Sequence, residues 1–190
     1  MALGEPKIDP SEARVRLASM PTFGRWSLTA GGLGFARFAP GTWGSLPPCV
    51  AVLVLCAVVP MGSAWVIQAV LGAMLVWSVL GCEVWGARAE DALGVKDPSC
   101  VVLDEVAGMC IAMIGLRWPL RDEYADIRWL TTAVLGVAMA FVLFRALDVL
   151  KPPPCRALQS MRGGRGILLD DVFAGIYANV VMHLVGPLAG

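Results

Sequence analysis

Hydrophobic residues fall in long blocks along this chain, and most of the charged residues are confined between the blocks. Apolar stretches cover roughly 46–62, 64–82, 100–118, 129–150 and 167–188. Each is near the ~20 residues a helix needs to cross a hydrocarbon core, the first being somewhat short. The pattern predicts an all-α, compact helical membrane domain of about five apolar helices spanning residues 28–190, preceded by a polar arm at 1–27. Pro47 and Pro48 suit the start of a helix, and "PMG" at 60–62 breaks the first apolar helix from the second. The connections "ARAEDALGVKDPS", "PLRDEYADI" and "KPPPCRALQSMRGGRG" hold the charges and the turn formers. The arm lacks the apolar centre of a cleaved signal peptide.

Composition agrees with this pattern. The apolar set makes up 57% of 190 residues and mean hydropathy is +0.70, both above the range of an ordinary soluble domain. Fifteen basic and fifteen acidic residues give no net charge, so the basic surface a nucleic-acid binder requires is absent and no nucleic-acid partner is expected. The six cysteines (Cys49, Cys56, Cys82, Cys100, Cys110 and Cys155) form no Cys-x-x-Cys pair and read as small buried hydrophobes.

Alternating crossings would bring the start of the third helix, the end of the fourth and the start of the fifth to one membrane face. That face gathers Asp104 and Glu105, then Arg145, Asp148 and Lys151, then Asp170 and Asp171. Most of the lysines and arginines fall on the same side, while Arg117, Arg121 and Arg128 fall opposite, so the positive-inside bias makes the gathered face cytoplasmic.

Acids inside apolar segments are expensive, about 2.5 to 3.5 kcal/mol each at a helix centre, and usually mark function. A helix N-terminus accounts for one such pair by itself, because the macrodipole favours negative charge there. Two pairs together with Asp148 on one face are harder to explain that way. Clustered carboxylates repel and need a cation to stay ionised, and all-oxygen ligands select a hard ion such as magnesium. Asp104, Glu105, Asp170 and Asp171 are the candidate ligands. The spacing of three residues places Arg145, Asp148 and Lys151 along one side of a helix, as a clamp for an anion or as a salt-bridge ladder. "APGTWGS" (39–45) offers Thr42 and Ser45 with flexible backbone ahead of a helix, suited to phosphate oxygens or to a plain turn. "RGGRG" (162–166) has the same two readings. A Cys-x5-Arg pattern from Cys82 to Arg88 lacks the glycine-rich loop of a thiolate phosphatase, and one histidine, His183, is too few for a three-histidine zinc site.

In "PGTWGS", "KDPSCVVLDEVAGM", "FRALDVLKPPP" and "GGRGILLDDVFAG", in that order, the chain resembles the phosphatidylglycerophosphatase A family over roughly 30–185. The resemblance implies a magnesium-dependent, multi-pass enzyme of the bacterial inner membrane. Such an enzyme removes the terminal phosphate of phosphatidylglycerophosphate, its lipid substrate, to give phosphatidylglycerol. It implies catalytic roles for Asp104, Glu105, Asp148, Asp170 and Asp171, and substrate contacts for Arg145, Lys151, Thr42 and Ser45, with Asp97 a weaker candidate. Attack by water or by an aspartyl nucleophile both remain open, as does the identity of the acid for the leaving oxygen, Asp148, Glu105 or metal-bound water. A cation transporter or channel is the rival reading of the clustered carboxylates, and the oligomeric state is not legible.

Overall fold

A computed structural model describes residues 8–123, 126–153 and 164–185. Lys7, Cys155, Arg156, Arg162 and the beginning of "RGGRG" lie outside the described residues. Every regular element among the described residues is helical. Two short helices, α1 (Pro10–Leu17) and α2 (Thr22–Leu28), lead through a 3-10 turn into α3 (Pro40–Gly44) and α4 (Leu46–Val58). Then come α5 (Trp65–Leu93), α6 (Leu103–Met113), α7 (Arg128–Leu150) and α8 (Gly164–Val185).

Among the described residues four stretches are long and apolar enough to cross a membrane: Pro40–Val58, Trp65–Leu93, Arg128–Leu150 and Ile167–Val185. Pro47 and Pro48 stand at the start of α4, as expected, and the chain turns at Pro60 to Gly62 before α5. Outside the acidic end, α7 is apolar on nearly all sides, and only 22% of its apolar window is buried, which leaves most of its surface for lipid.

The third apolar stretch departs from the expectation of a spanning helix. Only Leu103–Met113 is helical, and those 11 residues fall short of a bilayer. Instead α6 is the hub of the bundle, with nine residues buried from Leu103 to Met113, packed against α5, α7 and α8. A helix ending inside a membrane leaves carbonyls with no water to accept from, at several kcal/mol each. Two amides answer that need. Asn179 Nδ2 on α8 donates to the carbonyls of Ile111 (2.9 Å), Ala112 (3.3 Å) and Ile114 (2.8 Å). Gln68 on α5 accepts from the Gly115 N–H at 2.8 Å and donates to the Leu116 carbonyl at 2.9 Å. Non-helical backbone is tolerated at this depth because protein surrounds it.

Close approach of α6 to α8 depends on two glycines. A Cβ on Gly175 would run into the backbone of Gly108, and one on Gly108 would meet the Phe144 ring and the Asp171 carbonyl. Small residues permit helix backbones to touch in this way. Gly108 follows Asp104 by four residues and Gly175 follows Asp171 by four, so each lies one turn below an acid. The touching glycines therefore draw the two acid pairs together. At the N-terminus, Ala13 and Leu17 of α1 and Leu28 of α2 are buried in the same core, and both helices pack on α5.

Candidate active site

Three structural devices deliver the site residues to one end of the bundle. Asp104 and Glu105 occupy the first turn of α6, where the helix dipole favours negative charge. Asp170 and Asp171 sit in the second turn of α8. At the end of α7, Pro152 disfavours helical backbone for the residue before it. Lys151 ends the helix in a left-handed conformation (φ 47°), with its N–H bonded to the Leu147 carbonyl. Its ammonium reaches back to Asp170 Oδ2 at 2.6 Å. Tyr177 Oη adds a tie from α8 to the Pro153 carbonyl at 2.7 Å.

The two acid pairs meet. One carboxylate oxygen from each of Asp104, Glu105 and Asp171 lies within 4.8 Å of the others. Asp104 and Asp171 are 5% and 3% exposed, so these charges are withdrawn from water. Asp104 Oδ1 and Glu105 Oε2 are buried without a hydrogen-bond partner. Arg145 Nη1 stands 2.9 Å from Asp148 Oδ2, but at an angle too poor for a hydrogen bond, and is likewise unsatisfied. Orphaned buried acceptors of this kind cost about 1 to 3 kcal/mol each, more when charged.

Charge is out of balance as well. Around the cluster five carboxylates (Asp104, Glu105, Asp148, Asp170 and Asp171) face Arg145 and Lys151, and Asp97 acts electrostatically on Asp104, Asp170 and Lys151. Burial opposes the charge on Lys151, but its hydrogen bond to Asp170, and then the charges of Asp170, Asp148 and Asp97, hold the ammonium above its ordinary value. Unpaired buried oxygens, three converging carboxylates and excess negative charge together form a donor set that fits a hard divalent cation.

The remaining candidates are placed as follows. Asp170 points to Lys151 and lies outside the three-carboxylate group. Gly41 forms one wall of the site, since a Cβ there would run into Glu105 Oε1 and the Arg145 guanidinium. Thr42, the next residue, is half-buried at this wall. Ser45 is fully buried and its hydroxyl donates to the Gly41 carbonyl at 2.9 Å, so it fastens the loop from within. Cys82 is buried in the continuous helix α5, with no loop around it to bind an anion. His183 is at the far end of α8, its Nδ1 3.0 Å from the Asn179 carbonyl.

Gln68, Asn179, Gly108 and Gly175 escaped the sequence reading. Lone amides inside apolar runs and glycines four residues after Asp104 and Asp171 were the available signals.

A family model for phosphatidylglycerophosphatase A matches residues 26–186. The chain belongs to the phosphatidylglycerophosphatase A family. It is 32% identical over 158 residues to a phosphatidylglycerophosphatase A of Haemophilus influenzae, covering 81% of this chain and 83% of the relative. To the Escherichia coli phosphatidylglycerophosphatase A it is 29% identical over 181 residues, 94% of this chain and 90% of the relative. A Bacteroides thetaiotaomicron protein provisionally named a phosphatidylinositol-3-phosphatase is 31% identical over 162 residues, 85% of this chain and 92% of the relative. No solved structure matches. Membership of this family makes the chain a phosphatase, and four of its helices among the described residues are long and apolar enough to cross a membrane.

Proposed function

We propose that this protein hydrolyses the terminal phosphate of phosphatidylglycerophosphate to give phosphatidylglycerol, using a magnesium ion held by Asp104, Glu105 and Asp171. The observation that carries the reading is the meeting of those three carboxylates beside Arg145, at the end of the bundle where a lipid headgroup would sit. Membership of the family and the names of its Haemophilus influenzae and Escherichia coli relatives support the substrate.

When bound, magnesium supplies a Lewis acid for the phosphoryl oxygens and neutralises the carboxylates. Arg145 and Lys151 bind the phosphate and face the charge that grows on its equatorial oxygens in the transition state. Asp170 holds the Lys151 ammonium in place and in its charged form. The proton for the leaving glycerol oxygen would come from Asp148, Glu105 or metal-bound water, and Asp148 also stands 2.9 Å from Arg145, where it orients the guanidinium. The backbone at Gly41 and Thr42 closes the side of the site. An acid-quenched single turnover with radiolabelled substrate phosphate separates the two nucleophiles: protein-bound, hydroxylamine-labile phosphate identifies an aspartyl nucleophile, and release of inorganic phosphate with none bound to protein identifies water.

In this reading the enzyme lies in the inner membrane with its site at the cytoplasmic side, supported by the bias of lysine and arginine to that end. A transport role is disfavoured, because stretches 65–82, 106–116, 129–144 and 172–190 contain no Asp, Glu, Lys or Arg to continue an ion path. The test is phosphate release from dioctanoyl phosphatidylglycerophosphate in detergent, with phosphatidylinositol 3-phosphate alongside. Release from the former, abolished by chelator and restored by magnesium, is the expected result. Chelator-insensitive release or none would contradict the reading, and preference for the inositol lipid would move the substrate.

A further inference from the structure

A pocket of about 320 Å³ opens between α1, α2 and the turn after α2, lined by Arg14, Arg25, Trp26, Thr29, Gly32 and Phe35. It shares no residue with the acidic cluster, and nothing in the chemistry above uses it. Arg14 stacks on the Phe35 ring, 4.8 Å from its centroid. Neither Arg14 nor Arg25 takes part in a salt bridge among the described residues. Acids of the same arm are engaged elsewhere, since Glu12 pairs with Arg16 at 2.7 Å and Asp9 accepts from the Ser11 N–H at 2.8 Å. Two positive charges line one concavity without a counter-charge, which makes it attractive to an anion. The turn leaves the space clear: Gly31 and Gly32 are left-handed (φ 73° and 99°), and a Cβ on Gly32 would meet nothing within 4 Å.

Packing on α5 sets the depth of the arm. Arg16 Nη1 donates to the Leu93 carbonyl at 2.8 Å, at the C-terminal end of that helix. Further down, Gly24 is pressed against the Trp85 ring, and Phe23 meets Trp77 edge-on at 5.0 Å. Glu83 is the first charged residue after the uncharged stretch 65–82, and Trp77 stands six residues, about 9 Å, inside it. The arm therefore descends from the polar end of α5 past the edge of its apolar part, with Phe23 and Trp26 both more than half exposed. Exposed aromatics in such a place mark the headgroup level of a bilayer. Val102, the residue before α6, donates its N–H to the Leu28 carbonyl at 2.8 Å, so α2 and Asp104 are at the same end of the bundle.

We propose that this pocket binds the phosphate of an anionic phospholipid at the membrane surface, as a second lipid site separate from the acidic cluster. Arg14 and Arg25 neutralise the phosphate, and Trp26 and Phe23 hold the pocket at the depth where the bilayer presents one. That depth favours a lipid headgroup over a soluble phosphate. Arg14 and Arg25 precede the residues 26–186 that match the family model, so the site does not follow from family membership.

Native mass spectrometry of the purified full-length protein in detergent, titrated with dioleoyl phosphatidylglycerol or dioleoyl phosphatidylcholine, tests this. Wild type is expected to hold phosphatidylglycerol more tightly than phosphatidylcholine. The double variant Arg14→Gln/Arg25→Gln is expected to weaken one phosphatidylglycerol site about tenfold or more. Arg37→Gln, which removes an exposed charge from the same arm outside the pocket, and Arg145→Gln in the acidic cluster are expected to leave that site intact. Arg14→Lys/Arg25→Lys keeps both charges and is expected to retain most of the binding, which separates lost charge from a disturbed fold. Equal binding of the two lipids by wild type, a double variant indistinguishable from wild type, or an equal loss in Arg37→Gln overturns the pocket as a lipid site. Displacement of the lipid by an equal concentration of inorganic phosphate overturns it in favour of a soluble anion. No readout depends on turnover, so failure here is distinct from failure of the function proposed above.

Discussion

Asp104, Glu105 and Asp171 share a pocket in which each makes the others' charge harder to sustain, and two of their oxygens have no protein partner. Replacing one carboxylate by its amide removes a ligand charge while keeping shape. Asp104→Asn and Asp171→Asn are each expected to lower phosphate release by about a hundredfold or more while leaving the melting temperature in chelator unchanged or raised. Retained activity in both would remove the metal site from the mechanism. Asn179 belongs to a different kind of residue, since it closes the end of α6 rather than touching substrate. Asn179→Leu strands carbonyls of Ile111, Ala112 and Ile114 and is expected to destabilise the protein by about 1 to 3 kcal/mol, read as a lower melting temperature in detergent. The acids were legible in the sequence because charge in an apolar run stands out. The amides were not, because a lone Asn or Gln names no partner until the backbone it serves is known to end at its level.

Among the elements, α6 and α8 form the pair on which the site depends, and the Gly108 to Gly175 contact sets their separation. A methyl on Gly175 points at helix backbone, which cannot swing aside as a side chain can. Gly175→Ala is therefore expected to destabilise by about 1 to 3 kcal/mol through overpacking and to reduce activity. Gly72→Ala on α5, where a Cβ meets nothing within 4 Å, is expected to be neutral or stabilising by up to about 1 kcal/mol. Equal behaviour of the two variants in thermal unfolding and phosphate release would show that close contact is not what positions the acids. About five apolar helices were legible from hydropathy, and four among the described residues are long enough to span. Apolarity alone could not tell that the third would be short, because a helix sheathed in protein and one bathed in lipid have the same composition. That helix ends where Asn179 donates to the carbonyls of Ile111, Ala112 and Ile114 and Gln68 holds the Gly115 N–H and Leu116 carbonyl that follow.

In the proposed orientation of the whole molecule, a polar, charge-dense end lies at one membrane surface with nearly uncharged helices below it. Accessibility to reagent tests the orientation. In a chain with Cys155 replaced by serine, an impermeant maleimide applied from outside intact spheroplasts is expected to label Arg121→Cys but not Ser99→Cys, both exposed positions. The native thiols at Cys49, Cys56, Cys82, Cys100 and Cys110 are buried and should contribute little background. The reverse labelling pattern would turn the site to the other leaflet. Sequence order was enough to foresee that helix ends far apart in the chain would share a face, because spanning helices have only two faces on which to end. It could not reveal that Asp170 turns to Lys151 while Asp171 turns to Asp104 and Glu105, a division decided by side-chain direction on one helix turn.

The central claim is that Asp104, Glu105 and Asp171 jointly hold one kind of ligand, a hard divalent cation. Manganese(II) titrated into purified protein and followed by electron paramagnetic resonance tests it without reference to turnover. Wild type is expected to bind manganese in competition with magnesium, and Asp104→Asn and Asp171→Asn are each expected to weaken that binding by about tenfold or more. Binding that is absent from the wild type, or unchanged in both variants, would contradict it.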